Sequence, residues 1–401
     1  MKKILFFVFA FIIHNSLFIN HCESQWVRVP TGLDTNKLVL SFASNGNNIF
    51  SGIDLGGGVY CSTNNGNIWT QTALNDVSIF SFAINDINIF AGSGNFGVYR
   101  STNDGTNWSQ TSLNVGTIYS LAVKGNYIFA GIGNNGIFLS TNNGVYWEQT
   151  ALVNKTVEAM AINENYIFAG TDGYGIYFST NSGTNWIQTA LNNQYIWSIA
   201  TIGNNIIAGT GGGGVFLSSN NGTNWIQTSL NNKTINTLAI SGNNIFAGTT
   251  NYGIYLSTNY GANWIQKNQG LMDITSVFTL LITNNYIFAG TNSSVWRRSL
   301  FEIIGINQIS KVIPSSYSLS QNYPNPFNSN SKIKIENAKL GNVKLIVYDI
   351  IGRDVETLIN EKLQPGTYEV TFDGSNLNSG VYFYRLTSDG FTETKRMILL
   401  K

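Results

Sequence analysis

Tryptophan returns every 39 residues through the middle of this chain, at Trp69, Trp108, Trp147, Trp186, Trp225 and Trp264, and each closes the octet Ser-Thr/Ser-Asn-x-Gly-x-x-Trp. A chain that copies one unit of about 40 residues folds as a row of similar modules, each burying its faces against its neighbours. The content of the unit says what the module is. Short runs rich in Ile, Val, Phe and Tyr alternate with Asn/Gly-rich turns, the pattern of strands joined by tight connections.

The copies superpose at four places, so the unit has four strands. In the third copy these are Ile118 to Val123, Tyr127 to Gly131, Gly136 to Ser140 and Trp147 to Thr150. Four-stranded units of this length are the blades of a β-propeller. The second strand recurs seven times, ending at Gly52, Gly92, Gly131, Gly170, Gly209, Gly248 and Gly290, which predicts seven blades over residues 25–300. The two ends of this region are complementary. The chain opens with an unpartnered fourth strand, Trp26 to Pro30, and the last repeat stops after a third strand, Ser294 to Arg298. Joining them closes the ring and removes its open edges.

The octet reads as a tight turn between third and fourth strands. In the fourth copy Gly183 supplies a positive-φ position, and the Ser179 and Asn181 side chains accept hydrogen bonds from turn amides. The tryptophan is then seated on the blade. Burying roughly 150 to 250 Å² of indole at about 25 cal/mol per Å² gives an upper bound on the order of 4 to 6 kcal/mol for each seat. These octets resemble the Asp-box repeat, which the family places on third-to-fourth-strand turns of β-propellers. The match departs at Asn64, Asn103, Asn142, Asn181, Asn220 and Asn259, where the family usually carries Asp. Asn keeps the turn-making carbonyl and loses the charge. The resemblance implies a structural motif, silent on activity.

Residues 1–24 read as a secretory signal: Lys2 and Lys3, an apolar run from Ile4 to Ile13, then Cys22 and Ser24 ahead of a cut before Gln25. Both histidines, His14 and His21, leave with it, and Cys61 becomes the one remaining cysteine. That excludes Ser-His-Asp and Cys-His nucleophiles, histidine-bound zinc or copper, and an intramolecular disulfide. No cofactor or metal site is expected. Residues 25–300 hold nine Lys and Arg against ten Asp and Glu, a net charge of −1. A nucleic-acid partner would need a basic face, which this balance does not provide. No later apolar run is long enough to span a bilayer.

Comparing the copies separates scaffold from a candidate surface. The second residue of each first strand varies most: Leu40, Phe80, Tyr119, Glu158, Trp197, Asn236 and Phe278. It begins the innermost strand near the face that carries the second-to-third and fourth-to-first connections, which hold Asp54, Phe96, Asn134, Asp172, Tyr174, Tyr195 and Tyr252. Aromatic rings mixed with amides suit sugars or extended peptides. We therefore single out Phe80, Tyr119, Glu158, Trp197, Asn236, Phe278, Asp172 and Tyr174 as ligand-binding candidates. The competing reading is that the aromatics plug the channel and the asparagines make turns.

Asp-box propellers include sialidases and other glycoside hydrolases. Sialidases have six blades, an arginine triad and a Tyr/Glu pair, and the arginines of residues 25–300 are only Arg28, Arg100, Arg297 and Arg298. A glycosidase needs two opposed carboxylates. Asp54, Glu158 and Asp172 are the candidates, and none sits in a recognisable motif. No catalytic residue is assigned.

After Arg298 the period stops. A linker, 301–316, leads to a proline cluster at Gln321 to Asn328, and alternating runs at Lys332 to Ile335, Val343 to Tyr348, Tyr368 to Phe372, Val381 to Leu386 and Thr394 to Leu400 read as five or more strands of a small β-sandwich over 317–401. The tail carries Asn-Tyr-Pro-Asn-Pro-Phe-Asn, Val347-Tyr348-Asp349 with Gly352-Arg353, Phe372-Asp373-Gly374, Ser379-Gly380-Val381-Tyr382 and the ending Lys395-Arg396-Met397-Ile398-Leu399-Leu400-Lys401. It is similar to the type A C-terminal sorting domain of the type IX secretion system, departing at Ser329, where the family commonly has proline. The resemblance implies the type IX secretion machinery as partner through this tail, and a secreted or cell-surface protein. The expected function is binding of a glycan or peptide, with a glycan-processing hydrolase and a structural surface component as alternatives.

Overall fold

The computed structural model describes residues 25–33, 37–271, 275–375 and 377–401. The signal segment 1–24 lies outside the described residues. The structure is all-β, with seven four-stranded antiparallel sheets followed by two sheets that form a small sandwich.

Each of the seven sheets is a meander. Blade 3 runs Ile118–Lys124, Tyr127–Ile132, Gly136–Ser140 and Glu148–Gln149, paired in that order. Innermost strands of successive blades touch around the whole circuit, and that of blade 7, Val277–Ile282, touches that of blade 1, Val39–Asn45, so the ring is closed. Closure uses the two chain ends foreseen for it. Val27–Arg28 pairs with Val295–Ser299 as the fourth strand of blade 7, with Val27 opposite Arg297 and Arg28 opposite Trp296.

The core of the ring is not central. It is divided into seven apolar clusters, one at each seam between blades. A phenylalanine or isoleucine of one second strand meets the octet tryptophan of the next blade at six seams: Phe50 with Trp108, Phe90 with Trp147, Phe129 with Trp186, Phe168 with Trp225, Ile207 with Trp264, and Phe288 with Trp69. At the seventh seam Trp26 takes this place beside Phe246. Its indole donates to the Lys267 carbonyl at 2.7 Å. The six seats are not equally deep: Trp69 and Trp147 are buried, and Trp108, Trp186, Trp225 and Trp264 are half-buried.

The serine and asparagine bonds of the octet turn recur in all six copies, and the indole bond in four. In blade 3 the Ser140 hydroxyl donates to Asn142 Oδ1 at 3.0 Å and accepts from the Gly144 amide at 2.9 Å, while Asn142 Oδ1 accepts from the Tyr146 amide at 2.9 Å. Gly144 sits at φ 81°, a region that costs a Cβ-bearing residue, and its carbonyl accepts from the Trp147 indole at 3.2 Å. Two buried backbone groups are thereby paired inside a turn that no ladder reaches.

Blades also approach closely at their inner ends. The Ser120 hydroxyl donates across the seam to the Val157 carbonyl at 3.1 Å, and a Cβ on Gly131 would lie 2.8 Å from that same oxygen. The glycine one residue before the end of each second strand is the clearance between blades.

The sandwich stacks Ile306–Ser310, Gly366–Asp373, Asn330–Asn337 and Ser318–Leu319 against Asp354–Leu363, Gly341–Tyr348, Gly380–Ser388 and Phe391–Leu399. Three of these strands were not foreseen. The stretch read as a linker contains a short helix, Leu300–Ile303, and the strand Ile306–Ser310, whose Ile306 is buried in the sandwich core. Asp354–Leu363 escaped because two register shifts against Gly341–Tyr348 break the period-two alternation that marks a strand. The two-residue strand Ser318–Leu319 is too short to show a period. The proline cluster lies across both sheets: the Tyr323 amide donates to the Lys332 carbonyl at 2.9 Å in one, and the Phe327 amide donates to the Ile398 carbonyl at 2.9 Å in the other. Ser329 adopts φ 61°, which proline, locked near −65°, could not.

Candidate functional site

In every blade the variable second residue of the innermost strand has no ladder partner. Ile118 pairs with Ile132 and Ser120 with Gly131, so Tyr119 is the extra residue of a β-bulge. The same shift places Leu40, Phe80, Glu158, Trp197, Asn236 and Phe278 outside the pairing. A bulge re-aims a side chain and releases it from the pleat. Seven such residues converge at one end of the ring and line a funnel of about 830 Å³.

Two further sets of residues line it. Two positions along from the bulges, Phe42, Phe82, Leu121, Met160 and Ile199 form an apolar ring, and Tyr195, Asp172 and Thr250 come from the loops. Of the eight candidates, Phe80, Tyr119, Glu158, Trp197, Asn236, Phe278 and Asp172 share this funnel, and Tyr174 is not among its lining residues. Tyr174 lies instead beneath Lys155, whose Nζ is 3.7 Å from the ring centroid, and Tyr252 lies in the same way beneath Lys233 at 3.8 Å. Each ring there is covered by an ammonium group. Asn134 serves its turn, accepting from Thr156 Oγ1 at 3.2 Å. Asp54 and Phe96 also lie outside the lining.

A second position varies together with the bulge, fourteen residues on, in the connection between second and third strands. Beside the aromatic bulges of blades 2, 3 and 5 this position is Gly94, Gly133 or Gly211, whereas beside Phe278 of blade 7 it is Asn292 and beside Leu40 of blade 1 it is Asp54. The rings of Phe80, Tyr119 and Trp197 lie over these glycines, with ring atoms 3.0, 3.1 and 3.5 Å from where a Cβ would be. In blade 6 the pair is Asn236 and Thr250, joined by a hydrogen bond from Thr250 Oγ1 to Asn236 Oδ1 at 3.0 Å. Asn236 Nδ2 also donates to the Val277 carbonyl at 3.0 Å, so part of its hydrogen-bonding capacity serves the scaffold. In blade 4 the pair is Glu158 and Asp172, two carboxyl groups. This partnership was not read from the sequence, although comparing the copies at both positions carries the signal.

Burial, reinforced by the nearby Asp172 carboxylate, pushes Glu158 from the ordinary 4.5 up to about 7. The Tyr119 phenol is raised too, by burial and then by Glu158 and Asp172. Phe80 and Tyr119 meet edge to face with centroids 5.6 Å apart, and Trp197 is 42% exposed at the mouth. Among the described residues, no Lys or Arg lines the funnel and no group of three or more His, Cys, Asp and Glu is placed to hold a metal ion. Away from the funnel, Cys61 is half-buried and its thiol is pushed up to about 11, by burial and then by Asp104, which keeps it protonated.

The funnel faces away from the tail. In a four-stranded meander the first-to-second and third-to-fourth turns lie at one end and the remaining connections at the other. The sandwich touches the first-to-second turn of blade 6: Glu361 accepts from Ser241 Oγ at 2.8 Å and from Asn244 Nδ2 at 3.1 Å. The bulges belong to the opposite end.

The profile of the family described as a secretion system C-terminal sorting domain matches residues 321–400. The tail is a type IX sorting domain. The protein is exported, and the sorting domain directs it to the cell surface. No helix among the described residues is long and apolar enough to cross a membrane. No curated protein matches the chain. Among solved structures, the ring is similar to YCF48 from Cyanidioschyzon merolae, with a TM-score of 0.56 and 16% identity over 69% of this chain and 98% of that one. It is also similar to YCF48 bound to D1 peptide, at 0.55 and 14% over 70% and 96%. A computationally designed protein, Ika8, is similar at 0.53 and 11% over 68% and 100%. At these identities the likeness is one of fold.

Proposed function

We propose that the protein is a surface-displayed receptor whose funnel binds an extracellular glycan or extended peptide without transforming it. The observation that carries this reading is the set of seven bulged, unpaired residues gathered at one mouth. Scaffold positions around the ring are nearly uniform and these are not, which suits a surface selected for what it contacts. The octets, which we read as amide forms of the Asp-box, serve only the scaffold, and residues 1–24 act as the export signal. A propeller of similar fold, YCF48, is known bound to D1 peptide, which supports a peptide as one ligand class.

The test is a glycan and peptide array probed with the full chain, its Trp197→Ala form and its Tyr119→Ala form. We expect discrete binding by the parent and loss of at least ten-fold in each variant. Equal signals from all three would instead favour a structural surface component. A second reading, a glycan-processing hydrolase, draws on Glu158, whose raised proton affinity beside Asp172 suits a general acid. Turnover of any arrayed glycan that Glu158→Gln abolishes would establish it in place of simple binding.

A further inference from the structure

We propose that the funnel is built for a cation, an organic ammonium or guanidinium group seated between the rings of Tyr119, Tyr195 and Trp197 and the carboxyl groups of Glu158 and Asp172. The inference rests on the funnel being a binding site and names the chemistry it takes.

Three observations converge on it. First, the walls of the funnel are aromatic where blades 3 and 5 flank blade 4, and Tyr195 and Trp197 are exposed at the mouth rather than packed away. A ring face attracts a positive charge through its quadrupole, more strongly as water is excluded. Second, the bulge and its partner fourteen residues on satisfy each other in blades 3, 5 and 6, by a ring lying on a glycine in blades 3 and 5 and by an amide–hydroxyl bond in blade 6. Blade 4 differs from these three. Its two positions are both carboxyl groups, which repel each other once ionised. Third, the residues that could neutralise them within the fold are elsewhere. Two lysines of this rim, Lys155 and Lys233, lie over Tyr174 and Tyr252, and no Lys or Arg among the described residues lines the funnel. The funnel therefore presents negative charge and ring faces, with no positive group of its own. A metal ion suits it poorly, since hard cations prefer several oxygen ligands and not aromatic walls.

The ammonium group could belong to a lysine side chain or to an amino sugar, and the test separates the two. Calorimetric titration of the full chain at pH 8 uses matched pairs of probes: a capped Gly-Gly-Lys-Gly-Gly peptide against its norleucine counterpart, and chitotetraose with free amines against its N-acetylated form. We expect the cationic member of at least one pair to bind at least about ten-fold more tightly than its neutral partner. That preference should disappear in Glu158→Gln and in Asp172→Asn, while the fold, followed by near-ultraviolet circular dichroism, is retained. The pair that shows the preference identifies the source. Equal binding of charged and neutral probes, lost in Trp197→Ala, would overturn the cation and leave the funnel standing as a site. No binding of any probe here and no array signal would overturn both. Calcium chloride titrated alone is expected to give no heat, and competition by calcium with the cationic probe would assign the carboxyl pair to a metal instead.

Discussion

The outer and inner ends of each blade are built from the same meander and behave in opposite ways. At the outer turn the serine and asparagine oxygens are committed: Ser140 bonds Asn142 and the Gly144 amide, Asn142 bonds the Tyr146 amide, and six copies scarcely differ. At the inner end the bulged residue commits nothing to the ladder, and the seven copies are Leu, Phe, Tyr, Glu, Trp, Asn and Phe. The lesson is that uniformity follows backbone obligation. Where a side chain completes backbone hydrogen bonding the residue is fixed, and where a bulge exempts it the fold tolerates any side chain the mouth can hold.

One substitution made at both ends sharpens the contrast most. Trp147→Ala opens a hole at the seam between blades 2 and 3, where the indole is 7% exposed, and should cost about 3–5 kcal/mol in denaturant unfolding. Ser140→Ala leaves the buried Gly144 amide without its acceptor and should cost about 1–3 kcal/mol. Trp197→Ala, the same residue change at the inner end, should cost less than about 1 kcal/mol while removing ligand binding. If it costs as much as Trp147→Ala, the bulged residues are plugs and the contrast fails.

The smallest effect expected is a slope. Glu158 titrates near 7 in the fold and near 4.5 when ordinary, so between those values the folded chain holds a proton that the unfolded chain has released. Stability therefore falls as pH rises through that window. Glu356, raised to about 7 by burial and Asp373, contributes in the same direction. Unfolding measured at pH 5 and at pH 7.5 should show Glu158→Gln flattening part of this fall, and an unchanged slope would mean that Glu158 is ionised throughout.

The ring was legible because its architecture is written in repetition. The tryptophans gave the period, the second-strand glycines gave the blade number, and the two unmatched ends gave the closure. The site was half legible. Variability marked the seven inner positions, but the bulge that frees them is a feature of pairing, invisible without registers, and so is the turn of Tyr174 towards Lys155, outside the funnel lining. Asp172 was noted, yet its partnership with Glu158 depends on the bulge bringing residues fourteen apart onto one seat. In the sandwich, irregular pairing hid Asp354–Leu363 for a related reason: strand readings assume a period that bulges interrupt.

The clasp that closes the ring has a mechanical meaning. The tail leaves the propeller directly after Ser299, the end of a strand held between Tyr286–Thr291 on one side and Val27–Arg28 on the other. A pull exerted through the sorting domain thus enters the ring at the one blade assembled from two distant stretches of chain, where Trp26 is the pin. Tension on a tethered molecule would be felt there first, at the end of the blade opposite the mouth.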